Sequence, residues 1–190
     1  MKIRATPGAA LLLLVMAFSD LTMLFATLFC VLVHECGHLL AARLLRVRFR
    51  LLELDVAGAR LVTAGLIPSY RTEWLVAAAG PLCSLLLVLV LLPHSGRFAA
   101  LALTTTLSLA LFNLLPIEGF DGGRMLAAPL AHLWGENAAR SAVRISSYLA
   151  LLLLFSLSAC LLLRYGENVM LAVLSASLFI RLFLTQQGES

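Results

Sequence analysis

The chain has 190 residues, 62% of them hydrophobic, a mean hydropathy of +1.00 and a formal net charge of +4. Soluble domains use roughly 45 to 50% apolar residues, so this composition excludes an ordinary soluble domain and indicates an integral membrane protein. The positive charge is no nucleic-acid footprint, because the Lys and Arg residues stand at the ends of apolar runs and do not form a basic patch interleaved with aromatics.

Apolar runs about twenty residues long, the length needed to cross a bilayer, delimit six candidate spans. The first, Gly8 to Phe18, is short and must tilt or thin the bilayer. The second runs from about Leu21 to Leu45, with Ser19 and Asp20 as a turn and helix N-cap before it. Next comes "RVRFRLLELDVAGARLVTAG", in which charges alternate with apolar β-formers; a β-hairpin at the membrane surface is expected, with Gly58 near its turn. The third span, about Trp74 to Leu92, is closed by Pro93 to Gly96, and the fourth runs from about Phe98 to Leu115. The last two are roughly Val143 to Leu163 and Val169 to Leu184, joined by "RYGEN". The expected fold is thus an all-α membrane protein of about six transmembrane helices with a short membrane-associated β-hairpin between the second and third. It forms a single domain over residues 1 to 190. A signal peptide followed by a soluble domain does not fit, since apolar runs recur to the end and the first lacks a small-residue cleavage site.

Cytoplasmic loops favour Lys and Arg. Placing the N-terminus in the cytoplasm puts twelve of the fourteen basic residues on that side and leaves only Arg97 and Arg164 outside. Both termini are then expected in the cytoplasm. Cys30, Cys36, Cys83 and Cys160 all lie inside apolar runs without a C-x-x-C pair, so they read as small core residues, not disulfides or thiolate ligands.

Within the second span, "VLVHECGHLL" places ionisable groups where lipid is the solvent. A charged carboxylate at the centre of a membrane helix costs about 2 to 3 kcal/mol or more unless it is paired or functional. His34 and His38, four residues apart, share a helix face one turn from each other, which suits two imidazoles on one Zn²⁺. Glu35 can stand near a metal-bound water without being a ligand, the general-base arrangement of H-E-x-x-H metalloproteases. A catalytic zinc needs a third protein ligand and an open position. "LFNLLPIEGFDGGR", Leu111 to Arg124, provides one at the cytoplasmic end of the fourth span. There Pro116 breaks the helix, and Asp121 precedes two glycines that permit a sharp turn and close approach. Asp121 is favoured as the ligand over Glu118, which lies in the break itself without a glycine pair. His94, in an external turn, and His132, in an amphipathic stretch, read as surface or interfacial residues.

"HECGH" followed by "NLLPIEGFDGGR", with "AAAGPL" (Ala77 to Leu82) between them, resembles the site-2 protease family of intramembrane zinc metalloproteases, peptidase family M50. The continuation "GHLLAARLLRVRFRLLELDVAGA" and the compact layout are most similar to its sporulation-type branch. The resemblance implies one zinc per chain on His34, His38 and Asp121, catalysis by Glu35, and a role for Asn113 in positioning substrate or holding the oxyanion. It further implies a membrane-tethered protein substrate, such as a sigma-factor precursor or anti-sigma factor, and restraint by an inhibitory membrane protein; no nucleic acid is expected as a partner. Two departures from the family are expected: no PDZ domain between the motifs and no C-terminal CBS domain after the sixth span. In the surface hairpin "VAGA" stands where other members have F-G-G. A prenyl-protein endopeptidase also carries H-E-x-x-H but typically takes a glutamate as third ligand. Alternatives from other classes are a zinc transporter, which would spread its ligands across the bilayer, and an inactive relative that only holds a client.

Overall fold

A computed structural model describes residues 2–5, 17–47, 49–55, 58–63 and 69–165 of the chain. They divide into two compact units, Met1–Leu114 and Leu115–Ser190.

Among the described residues the first unit contains the helices α1 (Leu21–Leu44), α2 (Tyr70–Leu91) and α3 (Arg97–Asn113), each packed against the other two. Asp20 caps α1, its carboxylate accepting from the N–H groups of Thr22 (2.9 Å) and Met23 (3.3 Å), as its position before the apolar run suggests. The same carboxylate pairs with Arg97 at the start of α3. Helix α1 stops because Arg46 adopts a left-handed φ of 58°, which lets Val47 N–H reach Ala42 O and Arg46 N–H reach Arg43 O. Helix α2 begins at Tyr70, before the apolar run that starts at Trp74, because the Ser69 hydroxyl accepts from Thr72 N–H and so starts the helix among polar residues.

The packing faces are lined with small residues. On α1 the buried stripe runs Ala26, Cys30, His34, His38, Ala42, every fourth residue, and on α3 it runs Ala102, Thr106, Ala110. Leu and Phe side chains point away from the bundle: Phe25, Leu28, Leu32 and Leu40 on α1 and Leu85, Leu86, Leu89 and Val90 on α2 are exposed. In lipid, large apolar side chains gain nothing by leaving the hydrocarbon, so helices associate where small residues let their backbones approach.

Three strands complete the described part of this unit. Strand β2 (Phe49–Asp55) pairs antiparallel with β3 (Gly58–Thr63), Asp55 standing opposite Gly58, with an irregularity between Phe49 and Leu51. Strand β1 (Lys2–Ala5), which the sequence pattern did not suggest, pairs parallel with β2, so the order is β1-β2-β3.

The second unit contains α4 (Asp121–Trp134) and α5 (Glu136–Tyr165), packed together and joined at Gly135, whose φ is 82°. Ahead of α4, Pro116 to Phe120 form a break whose polar groups are held by two serines of α5. The Ser146 hydroxyl donates to Pro116 O (2.7 Å), and that of Ser147 accepts from Glu118 N–H (2.8 Å) while donating to Val143 O (2.7 Å).

Among the described residues three helical stretches, Leu21–Leu44, Tyr70–Leu91 and Glu136–Leu161, are long and apolar enough to cross a membrane; Arg97–Asn113 is apolar but shorter. The expected first span falls outside the described residues except for its last two, and the sixth falls wholly outside them. Ser147 is fully buried. Its replacement by Ala strips Glu118 N–H of its acceptor, which is expected to cost about 1 to 3 kcal/mol. Thermal unfolding in detergent should show the lowered midpoint, and an unchanged midpoint would mean that the break is held by other groups.

Candidate metal centre

The every-fourth-residue stripe of α1 turns two histidines toward α2, where both are buried: His34 is 3% exposed and His38 5%, with Glu35 at 8%. Each ring is held at Nδ1. His38 Nδ1 donates to the Val76 carbonyl at 2.7 Å, and His34 Nδ1 lies 2.9 Å from the hydroxyl of Ser84, itself 1% exposed. Pro81 lies one turn beyond Val76 and has no N–H for the Ala77 carbonyl, so the hydrogen-bond ladder of α2 is interrupted beside the histidines.

With Nδ1 engaged, the two Nε2 atoms face each other at 3.3 Å, the rings meeting edge to face at 80°. Two Zn–N bonds of about 2.0 to 2.1 Å at a roughly tetrahedral angle place their nitrogens about 3.3 Å apart. The spacing therefore fits a shared zinc. The space beside the nitrogens is kept open by Gly80: a Cβ there would lie 2.2 Å from His38 Nε2 and 2.8 Å from His34 Nε2, about where a metal would sit. Gly37 serves the same seam from the other side, since a Cβ on it would come within 2.5 Å of Ala79 O and 2.9 Å of Cys83. Ligand atoms of His34, Glu35 and His38 all lie within 4.8 Å of one another.

The structure thus brings His34, Glu35 and His38 together on α1. Asn113, the last residue of α3, belongs to the same unit; its Nδ2 donates to Leu109 O at 3.0 Å, which uses one of its two amide hydrogens. Asp121 belongs to the second unit, where it is 7% exposed in the first turn of α4, with Arg124 at 3.9 Å. Glu118, its rival as third ligand, is exposed. The glycines act differently from expectation. Gly122 and Gly123 lie inside α4, and the left-handed turn falls to Gly119, whose φ is 93°. Gly123 does permit close approach, because a Cβ on it would meet Ile117 O at 2.2 Å. His94 and His132 are exposed, His94 bonding Val90 O near the end of α2 at 2.9 Å, and Cys36 is exposed. Sequence reading missed Ser84 and the Val76 carbonyl. "AAAGPLCS" holds both Gly80 and Ser84, but only the helix pairing shows that they face the histidines.

Comparison with known proteins bears on this centre. The family model of peptidase family M50 matches residues 93–157, which contain Asn113 and Asp121 but not the histidine pair. A zinc metalloprotease of Methanocaldococcus jannaschii, MJ0392, is 34% identical over 143 residues, covering 69% of this chain and 41% of that protein. The chain therefore spans less than half the length of that curated relative. The solved structure of a site-2 protease from Methanocaldococcus jannaschii has the same fold, with a TM-score of 0.68 at 24% identity over 96% of this chain and 89% of the other. These matches are what the chain is similar to, and its three long apolar helices support a membrane protein.

Because Gly80 leaves the space in which the two imidazoles meet, Gly80→Ala is expected to abolish zinc binding while the helices still form. Metal analysis of the purified variant, with circular dichroism as the control for folding, checks this; a full equivalent of zinc would show that the rings have room to move.

Proposed function

We propose that the chain is an intramembrane zinc metalloprotease of the site-2 type, cleaving a peptide bond within or near a transmembrane segment of a membrane-tethered protein. The observation that carries this reading is the pair of buried imidazoles with Nε2 atoms 3.3 Å apart, facing Gly80 and flanked by Glu35. Burying such groups at membrane depth is costly without a function, and H-E-x-x-H supplies one.

In this reading His34, His38 and Asp121 would hold one zinc per chain, which would supply Lewis acidity for activating water and the scissile carbonyl. Glu35 takes the proton from the attacking water and returns it to the amide nitrogen as the C–N bond breaks. Asn113 has an amide hydrogen beyond the one given to Leu109 O and would direct it to the oxyanion. A helical substrate hides its peptide bonds in its own hydrogen bonds, so cleavage needs an extended segment. The membrane-associated hairpin of β2 and β3 is suited to this: β2 is central in the order β1-β2-β3, which leaves β3 as the hairpin edge to which a segment can add as a strand.

The substrate is proposed to be a membrane-tethered transcription regulator, a sigma-factor precursor or anti-sigma factor, in keeping with the sporulation-type branch that the motifs resemble; an inhibitory membrane protein would restrain the enzyme. The proposed setting is a bacterial cytoplasmic membrane, with six spans, both termini in the cytoplasm and the centre near the cytoplasmic face. The arrangement of basic residues around the apolar runs supports this orientation.

Glu35→Gln is expected to leave a folded, zinc-loaded protein that no longer cleaves a co-expressed membrane-tethered regulator. Cleavage at the wild-type rate would remove Glu35 from the mechanism. His34→Ala combined with Asp121→Ala should abolish stoichiometric zinc in the purified protein, and one equivalent retained would overturn the ligand set.

A further inference from the structure

The two histidines are held at Nδ1 by partners of different capability. A backbone carbonyl can only accept, so His38 Nδ1 must carry a hydrogen to bond Val76 O at 2.7 Å. In a neutral imidazole that leaves His38 Nε2 as a lone pair. A hydroxyl both donates and accepts, so the 2.9 Å contact between His34 Nδ1 and Ser84 Oγ is satisfied with the hydrogen on either atom.

The heavy-atom geometry therefore admits two hydrogen arrangements. In the first, Ser84 O–H donates to His34 Nδ1, His34 Nε2–H donates to His38 Nε2 at 3.3 Å, and His38 Nδ1–H donates to Val76 O, a chain running in one direction. In the second, the His34 hydrogen sits on Nδ1 and is accepted by Ser84 Oγ, which leaves both Nε2 lone pairs pointing at one cation. Both arrangements carry the same number of protons on the two rings. Across these three contacts, passing between them requires a tautomer change at His34 and a reversal at Ser84.

We propose that Ser84 is a positioning residue whose hydroxyl holds the His34 ring in place in both tautomers, allowing the centre to take up and release zinc without leaving a buried polar atom unsatisfied. The proposal rests on the reading of His34 and His38 as ligands through Nε2. Helix geometry supports it: Ser84 lies one turn from Gly80, so the residue that steadies the ring and the residue that leaves room for metal occupy one face of α2. A carbonyl, as at His38, fixes one tautomer, and an apolar side chain would satisfy neither. Leaving a buried donor or acceptor without a partner costs its full desolvation penalty.

The test uses the full-length protein in detergent micelles with ¹⁵N-labelled histidine, stripped of metal and then titrated with zinc. In the wild type the His34 Nδ1 resonance is expected at the position of a bare, hydrogen-bonded nitrogen without zinc and of a protonated nitrogen with it, while His38 Nδ1 stays protonated throughout. Chelator competition should show zinc affinity lowered about 10- to 100-fold in Ser84→Ala, the usual range for loss of a group that orients a metal ligand. Ser84→Thr, which keeps the hydroxyl, should recover most of that loss. A His34 Nδ1 that is protonated in both states of the wild type would overturn the proposal, as would undiminished zinc affinity in Ser84→Ala. Failure of the wild type to bind zinc at all would instead overturn the metalloprotease reading, so the two failures are distinguishable.

Discussion

The approach of α1 to α2 is the constraint on which the rest of the centre depends. In hydrocarbon, apolar side chains give two helices no reason to associate, and contact must come from backbone proximity and from polar groups that find partners. Gly37 and Gly80 make that proximity possible, since a methyl group at either would collide with atoms of the opposite helix at under 3 Å. Where the helices meet, α2 presents His34 and His38 with a hydroxyl and a carbonyl at the spacing their rings need. The centre and the helix packing are one feature: the small residues that allow association also leave the space a metal would take.

The same economy of polar groups governs the second unit. A break in a chain of this composition exposes backbone N–H and C=O groups that lipid cannot satisfy. Ser146 and Ser147, about three turns into α5, take up Pro116 O and Glu118 N–H, so that α4 can begin with the buried Asp121. Hydroxyls recur in these roles because each offers a donor and an acceptor in a small volume. Ser147 uses both at once, and Ser84 is placed to use them alternately.

Much of this was legible in the residues. The helices α1, α2, α3 and α5 fall on the apolar runs, and Asp20 caps the helix it precedes. The boundaries shifted where hydrogen bonding outruns hydropathy: Ser69 starts α2 among polar residues, and α5 begins at Glu136, well before the apolar run near Val143. The pairing of His34 with His38 follows from a four-residue spacing on one helix, which needs no knowledge of the fold. The glycines after Asp121 suggest both a sharp turn and a close approach, and the fold realises the approach at Gly123 inside α4 without the turn, two uses that a local pattern does not separate. The parallel strand β1 was invisible for a different reason. Its partner lies about fifty residues away, and four residues carry too little pattern to announce a strand.

The sequence by itself determined that the chain belongs in a membrane and that His34, Glu35 and His38 occupy neighbouring positions on one helix, because composition and helical periodicity are local properties. Tertiary structure alone decided how those histidines are oriented. Nδ1 of each meets a group on α2, some forty to fifty positions further along, and Gly80 leaves room beside the facing Nε2 atoms. No spacing rule along one helix predicts that, since it depends on how two helices are rotated and how closely their backbones approach. An H-E-x-x-H motif names the ligands; the opposing helix orients them.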